Sequence, residues 1–184
     1  PQLISQKTKA IVPMDYGGIS CKINEIQEVA KNNNLVLIED SAEALGASIN
    51  GKKVGSTADL SIFSFCGNKV LTTGEGGAIV TNDKTVFEKI KLIRSHGRMD
   101  TVRYFDNTEQ SQYLELGYNW RMSSITAALG LSQISKLDKL IKMRQENAEY
   151  ISKALSKFPE IITPSSKGGS EHIYQMYTIR LPTK

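Results

Sequence analysis

The sequence predicts an α/β domain organised around a mostly parallel sheet, and three observations carry that expectation. Leu35-Val-Leu-Ile38 is an apolar run ending in Glu39-Asp40, the pattern of a parallel strand that is buried on both faces and delivers an acid at its carboxyl end. A short apolar stretch, Lys9 to Pro13, and a helical pattern precede it. Strand, helix and strand make a βαβ unit with a right-handed crossover. Leu60 to Phe65 alternates apolar and small residues, which reads as a further strand buried on at least one face.

Taken in order, Lys9 to Pro13 is a short buried strand. Asp15-Tyr-Gly-Gly18 is the loop at its carboxyl end, either an edge of a site or a plain turn. Asn24 to Asn33 spaces Ile26, Val29 and Ala30 as an amphipathic helix frayed by three asparagines. After the strand to Asp40, Ser41 to Leu45 is a helical turn and Asn50-Gly51 a hairpin-like turn. Ala78 to Thr81 is a strand that follows the glycine-rich Gly74-Glu75-Gly76-Gly77. Lys84 to Ser95 is a helix with Val86, Ile90 and Ile93 on one face, ended by His96 beside Gly97. A capping or structural role suits His96 better than catalysis, because no second histidine or acid stands at a useful spacing from it.

Arg98 to Gln112 is polar and aperiodic and reads as a loop. Ser123 to Ile134 is a helix rich in small residues, fit for close packing. Leu137 to Lys157 is a second helix, with Leu140, Met143, Ala148, Ile151 and Leu155 as its core stripe and lysine–glutamate pairs on a solvated face. Phe158 to Ser170, with Pro159, Pro164 and a Lys-Gly-Gly-Ser run, is a linker. His172 to Leu181 alternates Ile173, Tyr177 and Ile179 and is expected to be the first strand of a second domain. The expected organisation is therefore a large domain over residues 1–157 and the beginning of a small one over 158–184.

Bulk properties narrow the function. A chain of 184 residues suits one domain with a sizeable core. The net charge of +4 is modest and spread along helices, with no arginine-rich block or basic-aromatic interleaving that would argue for nucleic acid. Cys21 and Cys66 are too few for a disulfide framework and lack metal spacing. Reduced thiols in a cytoplasmic protein are the expectation. No apolar run approaches the length of a membrane span.

The chemistry concentrates around Lys69, which follows the turn Gly67-Asn68 between the strand at Leu60 and the glycine-rich segment. Burial costs an ammonium its hydration, so a lysine in such a place suits Schiff-base chemistry; a surface lysine in a hairpin loop is the alternative. Ser64, at the strand's end, could donate to a phosphate, and Asp40 ends a neighbouring parallel strand. In open α/β sheets ligands bind at the carboxyl ends of the strands, so Asp40 and Lys69 are expected at one edge. Acid, lysine and phosphate donor are what pyridoxal 5'-phosphate (PLP) needs: an amine for its aldehyde, a carboxylate to keep its pyridine nitrogen protonated, and an anchor.

Specific motifs then carry a family resemblance. Glu39-Asp-Ser-Ala-Glu-Ala-Leu-Gly-Ala47, Gly51-Lys-Lys-Val-Gly55, Phe63-Ser-Phe-Cys-Gly-Asn-Lys69, Thr72-Thr-Gly-Glu-Gly-Gly77 and Gly117-Tyr-Asn-Trp-Arg-Met122 occur in order. Together they resemble the DegT/DnrJ/EryC1/StrS sugar aminotransferases, and within them the perosamine synthases, over about Lys9 to Leu155. The resemblance implies a three-layer α/β/α large domain of fold type I and a PLP cofactor. It implies transfer of an amino group from an amino acid, expected to be glutamate, to a nucleotide-linked 4-keto-6-deoxy sugar in glycan biosynthesis. It assigns Lys69 and Asp40 to catalysis and Asp40, Glu43, Ser64, Lys69 and Asn119 to the cofactor, with no metal. It also implies a homodimer with shared sites, in which Asn119 reaches the partner's cofactor phosphate and Arg121 fixes that loop. A surface role for Glu43 and a turn role for Asn119 are the plain alternatives.

Complete enzymes of this family are roughly twice as long, so the chain reads as a middle portion of that pattern. The portions outside it would supply a helix N-terminus for the phosphate, a side chain stacked on the ring and the rest of the small domain. A non-catalytic or regulatory relative, or a piece that only binds or dimerises, is the other class of reading, and a covalent cofactor at Lys69 discriminates. A dinucleotide-binding domain fits poorly, because Gly74-Glu-Gly-Gly77 precedes a strand instead of joining a strand to a helix.

Overall fold

The computed structural model describes residues 2–98, 113–166 and 168–182. The loop expected over 98–112 lies, from residue 99 onward, outside them. The strands are β1 (Ala10–Ile11), β2 (Val36–Asp40), β3 (Ser48–Ile49), β4 (Lys52–Lys53), β5 (Leu60–Ser64), β6 (Gly77–Thr81) and β7 (Ser170–Glu171). The helices are α1 (Ile23–Asn32), α2 (Lys84–Arg94), α3 (Ser124–Ile134) and α4 (Leu137–Leu155). The main sheet has the order β1-β2-β5-β6. Its first two pairings are parallel and the last, β5 with β6, is antiparallel, so the sheet is mostly parallel, as expected. A small antiparallel sheet, β4-β3-β7, sits beside it.

Alternation along β2 sends Leu37 and Glu39 to one face and Ile38 and Asp40 to the other. On the first face Leu37 packs with Ile23 and Ala30 of α1, flanked by Ile11, Ile26 and Ala58. Full burial of side chains such as Ile23 and Leu37 contributes about 2 kcal/mol each. A second core cluster joins Ala44, Ala47, Val54 and Val70 to Ile141 of α4 and to Ile173. Helix ends follow their caps. Asp83 accepts from the amides of Thr85 and Val86 at the start of α2, and Ser123 accepts from that of Thr126 at the start of α3. Just after α2, His96 takes left-handed backbone (φ +61°) and donates its amide to the Tyr118 carbonyl, the terminating role its position suggested.

Two places depart from pattern or explain it. Asn50 and Gly51 both take positive φ (+50° and +77°) and turn β3 into β4, the geometry a two-residue hairpin requires. The strand expected over His172 to Leu181 does not form. β7 is Ser170–Glu171 alone, and beyond it the described residues hold only a bridge between Ile162 and Arg180. Tyr174 has a φ of +50°, and its ring stacks on His172 with centroids 4.1 Å apart. The polar backbone of this stretch is satisfied elsewhere: Ile173 and Met176 donate to the carbonyls of Gly18 and Gly17, and Arg144 donates to that of Tyr174. The apolar alternation reflected Ile173, 1% exposed, entering the second core cluster, not a pleated strand. Among the described residues, no helix is long and apolar enough to cross a membrane.

Candidate active site

The carboxyl ends of β2 and β5 lie side by side, with Asp40 paired in register with Ile62. Ser64, two residues beyond Ile62, shares the face of the sheet that Asp40 occupies. The chain then turns, the Lys69 amide donating to the Cys66 carbonyl, and the Lys69 ammonium comes back to within 3.5 Å of Glu43 Oε1. Both side chains are largely sheltered, at 15% and 17% exposure. Glu43 Oε2 accepts from the Gly17 amide at 2.8 Å, so the loop after β1 joins the same cluster. Asp40 is half-buried and its Oδ1 accepts from the Ala42 amide at 3.1 Å. Its main chain is clamped twice, by its amide to the Pro13 carbonyl and by its carbonyl to the Asp15 amide, both at 2.9 Å. Four of the five expected site residues, Asp40, Glu43, Ser64 and Lys69, therefore gather around the ends of two adjacent parallel strands.

Asn119 is placed apart from them. It is exposed and bridges to Ser95 just past α2, while the flanking Trp120 amide donates to the Arg94 carbonyl. Arg121 donates to Ser95 Oγ at 3.4 Å in the same corner. A groove of about 800 Å³ along β6 and α2, lined by Phe87, Ile90, Trp120 and Met122 among others, includes none of the four clustered residues. Among the described residues, no group of three His, Cys, Asp or Glu is placed to hold a metal ion.

The structure adds residues that the sequence did not single out. Asp15 and Glu39 are both fully buried behind the site. Burial, and next the Asp15 charge, push Glu39 far above the ordinary carboxylate range. Cys21, in the same pocket, is pushed up to about 12 by burial first and Asp15 second, so its thiol stays protonated. Gln175 donates from Nε2 to the Asn68 carbonyl at 2.8 Å, holding the residue before Lys69 from 107 positions away. His172 is held below its usual range by burial, and its Nδ1 accepts from the Tyr174 amide at 2.9 Å. Asp15 had a visible signal, since it opens a loop expected at the site's edge. Gln175 had none, because its partner is a main-chain carbonyl remote in sequence.

Comparison with known proteins identifies the family and the fold. The profile of the DegT/DnrJ/EryC1/StrS aminotransferase family matches residues 1–184. The chain is 40% identical over 180 residues to the GDP-perosamine synthase of Caulobacter vibrioides, covering 97% of this chain and 47% of that protein. It is 45% identical over 168 residues to the UDP-4-amino-4,6-dideoxy-N-acetyl-beta-L-altrosamine transaminase of Campylobacter jejuni, covering 90% and 43%. Among solved structures it superposes on Helicobacter pylori PseC, an aminotransferase involved in the biosynthesis of pseudoaminic acid, with a TM-score of 0.91, 37% identity and coverage of 98% and 47%. The chain thus spans about half the length of the curated relatives it matches. From the motif order, the mostly parallel sheet and the profile match over its full length, the chain belongs to the DegT/DnrJ/EryC1/StrS aminotransferase family.

Proposed function

We propose that this chain is the cofactor-holding portion of a PLP-dependent aminotransferase that acts on a nucleotide-linked 4-keto-6-deoxy sugar. The observation that carries the reading is the sheltered Lys69–Glu43 pair at the carboxyl ends of β2 and β5, on the edge that Asp40 also occupies. The donor set fits the cofactor: a sheltered primary amine, a half-buried carboxylate whose main chain is fixed, and a hydroxyl on the same face of the sheet. When bound, PLP supplies an electron sink for the carbanion formed at the amino-acid Cα.

The chain's own residues do the rest. Lys69 Nζ would hold the cofactor's aldehyde carbon and, when its amine is free, would serve as the base for the Cα proton. Asp40 holds a negative charge against the protonated ring nitrogen. Ser64 Oγ donates to the phosphate. Glu43 sets the approach of Lys69 and lies near the reacting amine. Asn119 stands away from this cluster and is assigned to the partner's site in a homodimer. Glutamate is the proposed amino donor, and residues 158–184 are read as the passage into a smaller domain. Relatives named for GDP-linked and UDP-linked substrates support the nucleotide-sugar class and leave the base open. The free thiols Cys21 and Cys66 suit a reducing, cytoplasmic setting.

The test is borohydride reduction after incubation with PLP, followed by peptide mass mapping. A pyridoxyl adduct on Lys69 alone, lost in Lys69→Ala, is the expected result. Labelling scattered over many lysines overturns the reading.

A further inference from the structure

Behind the proposed site lies a pair of acids that the mechanism above does not use. Asp15 and Glu39 are both 0% exposed and come from different elements, the loop after β1 and the interior of β2. Their oxygens are nearly all spoken for by donors. Asp15 Oδ1 accepts from the Cys21 amide at 2.8 Å and Oδ2 from Ser41 Oγ at 2.9 Å. Glu39 Oε2 accepts from the Gly55 amide at 2.9 Å and from Ser61 Oγ at 3.1 Å. Glu39 Oε1 is the exception: it is buried and meets no donor among the described residues, and the carboxyl group close enough to act on Glu39 is Asp15, itself an acceptor. Two ionised carboxylates cannot sit face to face away from water, and an orphaned acceptor costs about 1–3 kcal/mol. Both problems disappear if Glu39 carries a proton on Oε1 and donates it to Asp15.

The pair also has something to position. Asp15 donates its amide to the Asp40 carbonyl, and its Oδ2 fixes Ser41, the next residue. Two residues beyond Asp15, the Gly17 amide holds Glu43, which in turn meets Lys69.

We propose that Glu39 and Asp15 share one proton, and that this pair positions Asp40, Glu43 and through them Lys69 from behind the sheet. Glu39 is a positioning residue and touches none of the reacting atoms. The groups facing it limit what else could answer for a pH effect. Asp15 from the β1 loop and the Cys21 thiol before α1 are the titratable neighbours; β5 offers the Ser61 hydroxyl and the turn before it the Gly55 amide.

Between the ordinary carboxylate value of 4.5 and about 7 the folded chain keeps a proton that the unfolded chain releases. Folding stability accordingly falls as pH rises through that window, and above it the pair repels. Gln at position 39 keeps a donor toward Asp15 and cannot ionise.

The experiment compares the unmodified chain with Glu39→Gln. The infrared spectrum at about pH 6 is expected to show a protonated-carboxyl stretch that Glu39→Gln lacks, and that fades as pH rises through neutrality; absence of such a band overturns the shared proton. The fall of the melting temperature between about pH 5 and pH 8 is expected to flatten in Glu39→Gln, and an unchanged slope overturns the assignment to Glu39. If that variant fails to fold, the band and its titration in the unmodified chain decide the shared proton alone. The positioning role rests on the PLP reading. Its measure is borohydride-trapped label on Lys69, whose ratio of variant to unmodified chain is expected to rise at least about twofold from pH 6 to pH 8.5; a flat ratio overturns it. The infrared and melting results need no cofactor, so they stand even if Lys69 takes no label.

Discussion

Glu39 and Asp40 are neighbours on one strand and occupy different media. Asp40 looks out on the face that carries Ser64 and the approach to Lys69, and is half-buried. Glu39 looks back into a closed core, 0% exposed, among Asp15, Ser61 and the Gly55 amide. The same functional group is thereby left half-buried in one place and closed into the core in the other, where the proposed pair shares a proton. On the front face Asp40, Glu43 and Lys69 are only partly buried, and in the function proposed above they are kept for a ligand. The back face spends its polar groups on one another, and so fixes where the front ones stand. One residue of register separates the two roles.

This comparison can be broken from either side. Asp40→Asn removes the front charge and leaves the back untouched. On the function proposed above, amino transfer by the PLP-loaded full-length protein is expected to fall about 10²–10³-fold, as for loss of one preorganised charge, with the melting temperature almost unchanged; a large drop in melting temperature would mean that Asp40 is structural. Gly55→Ala attacks the back. Gly55 has a φ of +89°, and a Cβ there would lie 2.4 Å from the Phe63 ring, so about 1–3 kcal/mol of stability is expected to be lost in a urea titration. A stability equal to that of the unmodified chain would show that the turn over Glu39 yields without cost. Ser61→Ala sharpens the contrast with the smallest step. It deletes one of two donors to Glu39 Oε2, and a loss of about 1 kcal/mol is expected by the same titration.

Much of the fold was legible because local pattern and tertiary role coincide. The apolar run to Asp40, the alternation at Leu60 and the helical patterns each marked a real element, with boundaries moved by only a residue or two. The core stripe expected on α4 held only in part: Ala148 is buried with Ile141, while Met143 and Ile151 are 50% and 39% exposed, and α3, expected to pack closely, buries no residue. The stretch after His172 misled because alternation records which side chains are buried, not whether the backbone between them is extended. A left-handed Tyr174 and a stacked pair of rings bury Ile173 without a strand. At the candidate site, Lys69, Asp40 and Ser64 could be proposed from order and chemistry, since strand ends in a parallel sheet converge, whereas Glu43 was proposed only from the family resemblance. The Gln175 bond to Asn68 and the orphaned oxygen of Glu39 could not, because both depend on packing between remote segments.

The antiparallel strand β6 has a consequence for how the polypeptide behaves in solution. Among the described residues it pairs only with β5, so no described strand covers its other edge. Ile79 and Val80 on it are 49% and 40% exposed, and Gly77–Thr81 contains no charge or proline to discourage a neighbour. An edge of that kind is a template for strand addition. Handled by itself, the chain is therefore expected to be limited by self-association along β6 at high concentration before it is limited by unfolding, and a lysine introduced at Val80 is the natural means of keeping it dispersed.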